Sequence, residues 1–331
     1  MNVETQPLSE RSWFMHLLET LIRPFRPRLV APPSNLESKL EWSKTGSPRL
    51  SVSSSLKTNC VVTERCIHYI WCYNIDIKQN HRQDGEVERK KGRVLYFAGG
   101  GFHAPPSSQH WSLILEFARR LPQFHLTLVS YPLSMKSTAS AAIPALSHMY
   151  HELASESKRN GQELILAGDS SGGNVALSLA LHVLSSSFPS KDAIAPRSIM
   201  LISPVVDCSN SNPEMTKVSK VDPVLTTQYT GYVARKWRGD LAPSDPLVSP
   251  VHADLAILKQ NGVQVNGIVG TWDVLAPDTL EFIDRCKAVK VDGSWCIAEG
   301  QMHCFPLTWK YRLTDGIKGK EWIINTMIKS I

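Results

Sequence analysis

The stretch "ELILAGDSSGGNVALSLALHVL" (163–184) decides how the rest of the chain is read. Its first residues, "ELILAG" (163–168), form an apolar run of strand length. Its last, from Asn174, are apolar nearly all round, as in a buried helix, and predict a helix over 174–185. Between them, Gly168-Asp169-Ser170-Ser171-Gly172 fits Gly-x-Ser-x-Gly with Ser170 at the centre. Ser171 does not fit, because Asp169 stands where a glycine is needed. A strand running into such a turn and a helix running out of it make a nucleophile elbow. The turn is tight enough that larger residues at 168 and 172 would clash. The central serine sits in a strained conformation that lifts its hydroxyl off the sheet. The helix start behind it favours negative charge developing at Ser170.

A serine hydroxyl attacks only when a base takes its proton, and the oxyanion that forms needs fixed donors. The donors are sought in "YFAGGGF" (96–102), where glycines follow a strand and expose backbone N–H groups without side-chain obstruction. Gly100 and Gly101 are the expected donors, with the backbone N–H of Ser171 as the third. The base is sought among eleven histidines. His303, in "EGQMHCF", follows the last expected strand. Asp273, in "GTWDVLAPD" (270–278), follows the strand 265–270. The order Ser170, Asp273, His303 is that of the Ser…Asp…His arrangement on such a sheet. Asp278 is the rival acid, but it stands where it could cap a helix over 278–288. His182 and His252 read as core or surface residues.

Outward from this centre, short apolar runs alternate with helical segments. Strands are expected at 93–99, 124–133, 163–168, 198–204, 265–270 and 294–300. Helices are expected at 109–121, 139–157, 278–288 and 317–330. Such alternation implies an α/β fold with a mostly parallel central sheet and helices on both faces. Cys60 to Lys78 is β-like, and the polar run 79–92 reads as a loop. Residues 207–245 break the alternation as an inserted cap. Residues 31–56, rich in Ser and Pro, read as irregular connection. Residues 8–22 read as an amphipathic helix with Trp13, Phe14, Leu17, Leu18, Leu21 and Ile22 on one face, ended by Pro24 and Pro27. It suits a lid over a pocket or, alternatively, a surface in peripheral membrane contact. The division is then an N-terminal cap segment, 1–58, and a core, 59–331, carrying the insertion.

Composition fits a globular chain: 42% hydrophobic and 20% charged among 331 residues, with a net charge of +6. The basic clusters, Arg89 to Arg93 and Arg23 to Arg28, do not interleave with aromatics as a nucleic-acid surface would. The seven cysteines are odd in number and include no Cys-x-x-Cys pair, which argues against a zinc site or a disulfide framework. With no signal-peptide pattern, no sequon and no apolar run of membrane-spanning length, a cytoplasmic location is expected, with membrane association through the first helix as its variant. No cofactor or metal site is expected. Oligomeric state has no signal in the sequence.

Taken together, "AGGGF" (98–102), "SYPL" (130–133), "GDSSGGN" (168–174), "LISPVVD" (201–207), "DPLVSP" (245–250), "GTWDVLAPD" (270–278) and "MHCF" (302–305) resemble the α/β-hydrolase fold. The likeness is to its hormone-sensitive-lipase-like branch, which includes arylacetamide deacetylases and fungal steryl acetyl hydrolases. It covers about residues 60–330. It implies carboxylester hydrolysis through an acyl-enzyme, often removing short acyl groups from bulky apolar alcohols. The substrate is then a small-molecule ester. In one respect the chain departs from the family: Ala98 stands where His-Gly-Gly-Gly carries its histidine, a residue that supports the loop. The glycine donors remain. Two further readings use the same pocket: acyl transfer or ring closure of a biosynthetic intermediate, and a non-catalytic small-molecule receptor. The receptor reading is disfavoured because Ser170, Asp273 and His303 are all present.

Overall fold

Alternating apolar runs and helices become, in a computed structural model of the protein, one sheet of nine strands with helices on both faces. The structure describes residues 4–8, 11–31, 35–52, 58, 60–78, 90–185 and 194–331. Most of the expected polar loop 79–92 therefore lies outside the described residues, as does part of 31–56. In chain order the strands are β1 (Glu4–Leu8), β2 (Glu41–Trp42), β3 (Pro48–Arg49), β4 (Cys60–Ile67), β5 (Ile70–Ile77), β6 (Gly92–Phe97), β7 (Phe124–Ser130), β8 (Glu163–Asp169), β9 (Ser198–Ile202), β10 (Gln264–Gly270) and β11 (Ser294–Ala298). The large sheet runs β1-β11-β10-β9-β8-β6-β7-β5-β4, and β2 and β3 form a separate small hairpin.

Every pair from β7 through β6 and β8 to β11 and β1 is parallel, whereas β5 is antiparallel to both β4 and β7. The β-like run 60–78 is thus a hairpin, turned at His68 and Tyr69, both in left-handed conformation. The central strands β6, β8 and β9 read as continuous apolar runs because helices cover both their faces.

Helix Ser171–Leu184 begins three residues earlier than its apolar run implied, since Ser171, Gly172 and Gly173 already form its first turn. Helices Ala139–Arg159, Ala276–Ala288 and Thr314–Lys329 extend their expected spans by two or three residues at one end, and the last stops one residue short at the other. The strand expected over 124–133 stops at Ser130, where the chain turns away before Pro132. The region 207–245 carries helices Glu214–Val218 and Thr227–Arg238.

The N-terminal region differs from its expected form in two ways. Glu4–Leu8 pairs in parallel with β11 and so joins the main sheet, and the helix spans Trp13–Ile22 rather than 8–22. Nor do its six apolar residues share one face. Leu18 and Ile22 turn inward beside buried Met15, while Trp13, Phe14, Leu17 and Leu21 face outward. Ser12 caps this helix by accepting from Met15 N–H, and its own N–H donates to Asp315, which ties the segment to the C-terminal helix. Arg11 stacks over Trp272 at 4.0 Å and pairs with Glu19.

Candidate active site

β8 ends at Asp169, and the next residue takes a backbone that L-residues rarely adopt: Ser170 has φ 52° and ψ −122°. Three backbone bonds over-determine it. Ser170 N–H donates to the Ile202 carbonyl at 2.9 Å, and its carbonyl accepts from Val205 at 3.1 Å and Asn174 at 3.3 Å. A Cβ on Gly172 would run into the Phe97 carbonyl, so only glycine lets the new helix sit this close to β6. The Ser170 hydroxyl lines a cavity of about 480 Å³ and makes no hydrogen bond among the described residues.

Gly99, Gly100 and Gly101 line the same cavity. The bend is fixed by the Gly100 carbonyl, which accepts from His103 and Ala104, and by left-handed Gly101, whose missing Cβ leaves room for the Tyr229 hydroxyl. Ser171 is the first residue of its helix, so its N–H has no intrahelical acceptor. Its hydroxyl is engaged elsewhere, 3.2 Å from Tyr131 Oη.

What supports this loop without a histidine at 98 is a buried network. The Asp169 carboxylate accepts from Gly99 N–H at 2.9 Å and from Tyr96 O–H at 2.7 Å, and His110 Nε2 lies 3.0 Å from its other oxygen. Ser107 N–H donates to His110 Nδ1 at 2.9 Å, which leaves the ring proton on Nε2, pointed at Asp169. Burial alone would raise the Asp169 pKa, but the His110, Tyr96 and Gly99 donors outweigh it and hold the carboxyl below its ordinary range. On the other side, Phe102 stacks on Trp237 of the inserted helix at 4.8 Å and 7°. His110 is a positioning residue by this geometry. His110→Ala is expected to lower kcat for a p-nitrophenyl ester by about ten- to a hundredfold, because donors displaced by a fraction of an ångström lose most of their effect. Steady-state kinetics should show KM nearly constant, and an equal loss carried by KM instead would contradict the assignment.

Asp273 and His303 meet. Asp273 Oδ2 lies 2.8 Å from His303 Nδ1, and its Oδ1 accepts from Leu275 N–H at 2.9 Å. Asp273 is fully buried and His303 is 9% exposed. Burial opposes charge on the ring, but the Asp273 carboxylate outweighs it, so the His303 pKa stands well above the usual imidazole value. His303 lines the cavity with Ser170, but its Nε2 contacts Cys304 Sγ at 3.5 Å, and no hydrogen bond joins it to the Ser170 hydroxyl among the described residues. Burial pushes the Cys304 thiol up to about 12 despite His303 nearby, so it remains protonated at neutral pH.

A second carboxylate, Asp222, supports the acid loop. It accepts from Val274 at 2.8 Å and from Val224 and Leu225 at 2.7 and 2.9 Å, clasping the insertion to the residue after Asp273. Burial, with Asp273 close by, raises it to about 6. The rival acid Asp278 does not cap its helix. Leu275 is the N-cap, and Asp278 lies inside the first turn, buried and raised to about 7 by burial and Asp207.

Sequence reasoning missed Asp169, His110, Asp222 and Cys304. In Gly-x-Ser-x-Gly, Asp169 is the variable residue. A charged residue at the end of an otherwise apolar buried strand was the available signal. For His110 the signal was weaker: a histidine in the first turn of a helix, three residues after a serine cap.

The cavity opens between the elbow and cap residues. Leu18, Ile22 and Leu29 from the N-terminal segment face Val224, Leu225 and Tyr229 from the insertion.

Comparison with known proteins agrees with this architecture. A family model described as alpha/beta hydrolase fold matches residues 94–307. An esterase of Acinetobacter venetianus is 26% identical over 215 residues, 65% of this chain and 67% of that protein. A triacylglycerol lipase of Mycobacterium tuberculosis is 27% identical over 215 residues, 63% of this chain but only 41% of the lipase. Among solved structures, EstE5 soaked in ethyl alcohol superposes with TM-score 0.75 at 18% identity, covering 97% of this chain and 99% of that one. A hormone-sensitive lipase from a metagenome library gives 0.72 at 22%, covering 94% and 98%. With the matched residues running from β6 past His303, the chain belongs to the alpha/beta hydrolase fold family.

Proposed function

We propose that the protein is a serine carboxylesterase that removes a short acyl group from a bulky, apolar alcohol. The observation that carries this reading is the 2.8 Å bond between Asp273 and His303 in the wall of the cavity that the strained Ser170 also lines. Apart from Glu4–Leu8, which belongs to the main sheet, the segment up to residue 58 acts as an N-terminal cap on a core, 59–331, into which the 207–245 cap is inserted.

The chemistry follows from these residues. Neutral His303 accepts the Ser170 proton as the hydroxyl oxygen attacks the ester carbonyl carbon. Asp273 holds the Nδ1–H tautomer and stabilises the imidazolium. The carbonyl oxygen becomes an oxyanion and draws on the N–H groups of Gly100, Gly101 and Ser171. His303 then returns its proton to the leaving alcohol oxygen, leaving an acyl-Ser170 ester. Water, deprotonated by the same imidazole, cleaves that ester to release the acid. For this sequence Nε2 must exchange its Cys304 contact for Ser170, as catalytic hydrogen bonds often tighten only with substrate in place. Apolar walls suit a hydrophobic alcohol, since they gain from its burial without needing a matched polar partner.

A panel of p-nitrophenyl and cyclic-alcohol esters, with a fluorophosphonate probe read by peptide mass spectrometry, tests the proposal. Turnover is expected with acetyl to butyryl groups, together with one phosphonate adduct, on Ser170. Labelling confined to another residue, or no turnover across the panel, would reject it.

A further inference from the structure

Helix Trp13–Ile22 is apolar on the side it shows to solvent as well as on the side it buries. Met15 and Glu19 point into the protein, and Leu18 and Ile22 flank them on the cavity wall. At about 100° per residue, Trp13, Leu17, Leu21 and Phe14 then fall together on the opposite face. They are 68%, 40%, 60% and 65% exposed. Phe25 and Leu29, on the turns that follow, are also exposed, and Leu29 lines the cavity, so exposed apolar side chains of this segment reach the cavity wall. Exposed His16 and Thr20 occupy one edge of the helix, and an apolar strip this broad on the outer face needs cover of its own. At ten residues it is about half the length that spans a bilayer, so such cover would lie along it rather than around it.

The charges select the cover. Over residues 11–31 the only acidic side chain, Glu19, is buried with Arg11. Arg23 and Arg28 are exposed and form no ion pair among the described residues. Arg26 does not add to them, because it donates to the Ser219 and Leu225 carbonyls and fastens the segment to the inserted cap. An apolar strip of Trp, Phe and Leu beside exposed arginines, with no exposed carboxylate over residues 11–31, matches an anionic lipid surface. A two-fold pairing with a second copy would bring the same arginines together with no carboxylate on the patch to meet them.

We propose that this face seats the protein on an anionic bilayer surface, with Trp13, Phe14, Leu17 and Leu21 at the acyl boundary and Arg23 and Arg28 at the phosphates. The cavity mouth then opens toward the lipid, and an apolar ester enters without crossing water. The delivery step rests on the esterase reading; the lipid contact does not.

The test is co-sedimentation of the full chain with phosphatidylcholine vesicles, with and without phosphatidylglycerol. Binding is expected only with phosphatidylglycerol. The triple variant Trp13→Ser, Phe14→Ser, Leu21→Ser should weaken it by about tenfold or more, and Arg23→Glu with Arg28→Glu by a similar factor. Both variants should keep the wild-type thermal unfolding midpoint, which shows that they fold, and wild-type turnover of water-soluble p-nitrophenyl acetate. Wild-type protein left in the supernatant would overturn the proposal. So would equal binding to phosphatidylcholine alone, or a dimer in light scattering that the triple variant dissolves. Failure of the esterase reading would show instead as no ester turnover, whatever the vesicles do.

Discussion

Ser170→Ala is expected to lower kcat for p-nitrophenyl acetate by a factor on the order of 10⁴ to 10⁶ while leaving the fold intact. The size follows from what the serine does in the proposed mechanism. Without its oxygen no acyl-enzyme forms, and His303 can at best activate water beside an oxyanion site that remains in place. KM should change little, because the cavity walls that bind the alcohol are untouched. Alanine keeps the Cβ, so the left-handed φ of 52° and the three backbone bonds that hold it persist, and thermal unfolding should show a near-native midpoint. The neighbouring serine supplies the contrast. Ser171→Ala keeps the N–H offered to the oxyanion and loses only the hydroxyl contact to Tyr131, so its loss should be smaller by about a hundredfold or more. If the two alanine variants lost equal activity, or if Ser170→Ala kept its rate, the nucleophile would be assigned wrongly.

How much of this was legible in the sequence depends on the distance over which each feature is decided. The elbow is local. An apolar strand, a glycine turn and an apolar helix are adjacent in the chain, and the turn admits no other packing once Gly172 meets the Phe97 carbonyl. The alternation of strands and helices is also local, and it implied the mostly parallel sheet; that β8 lies at its centre came only from the fold. Asp273 and His303 were found by chain order alone. Each follows a strand, and parallel strands deliver their following loops to one edge of the sheet.

The unread features are decided between distant segments. Nothing in "ETQPL" (4–8) marks a strand: it is polar, carries Pro7 and lies exposed, and it is ordered by pairing with β11 nearly three hundred residues later. The support of the glycine loop could not be read either, because His110 and Asp169 are 59 residues apart and only the fold makes them neighbours. In the first helix the six apolar residues were visible, but which of them faced the cavity depended on the inserted cap against which the segment packs.

The second large effect is Asp273→Asn, for which kcat is expected to fall by about 10³ to 10⁴. In the proposed mechanism the Asp273 carboxylate accepts the Nδ1 proton of His303, so that Nε2 carries none and can take the serine proton once it gives up its Cys304 contact. An amide in its place can present its own N–H to Nδ1, which moves the ring proton to Nε2, the atom that must accept. The pH profile should separate this from a simple packing defect. In the wild-type protein burial disfavours the charged ring, but the Asp273 carboxylate overrides it and raises the His303 pKa. Only the neutral ring acts as base, so activity is absent at low pH, rises as the ring deprotonates, and has its acid limb above the ordinary imidazole value. Asparagine removes the carboxylate charge while burial stays, so the limb should move to lower pH even as its plateau drops. Asp222 responds in the same direction: it is raised to about 6 by burial and by Asp273, and it also falls when that neighbour is neutral. A kcat/KM profile that lost height in the variant but kept its acid limb would mean that Asp273 does not set the charge of the His303 ring.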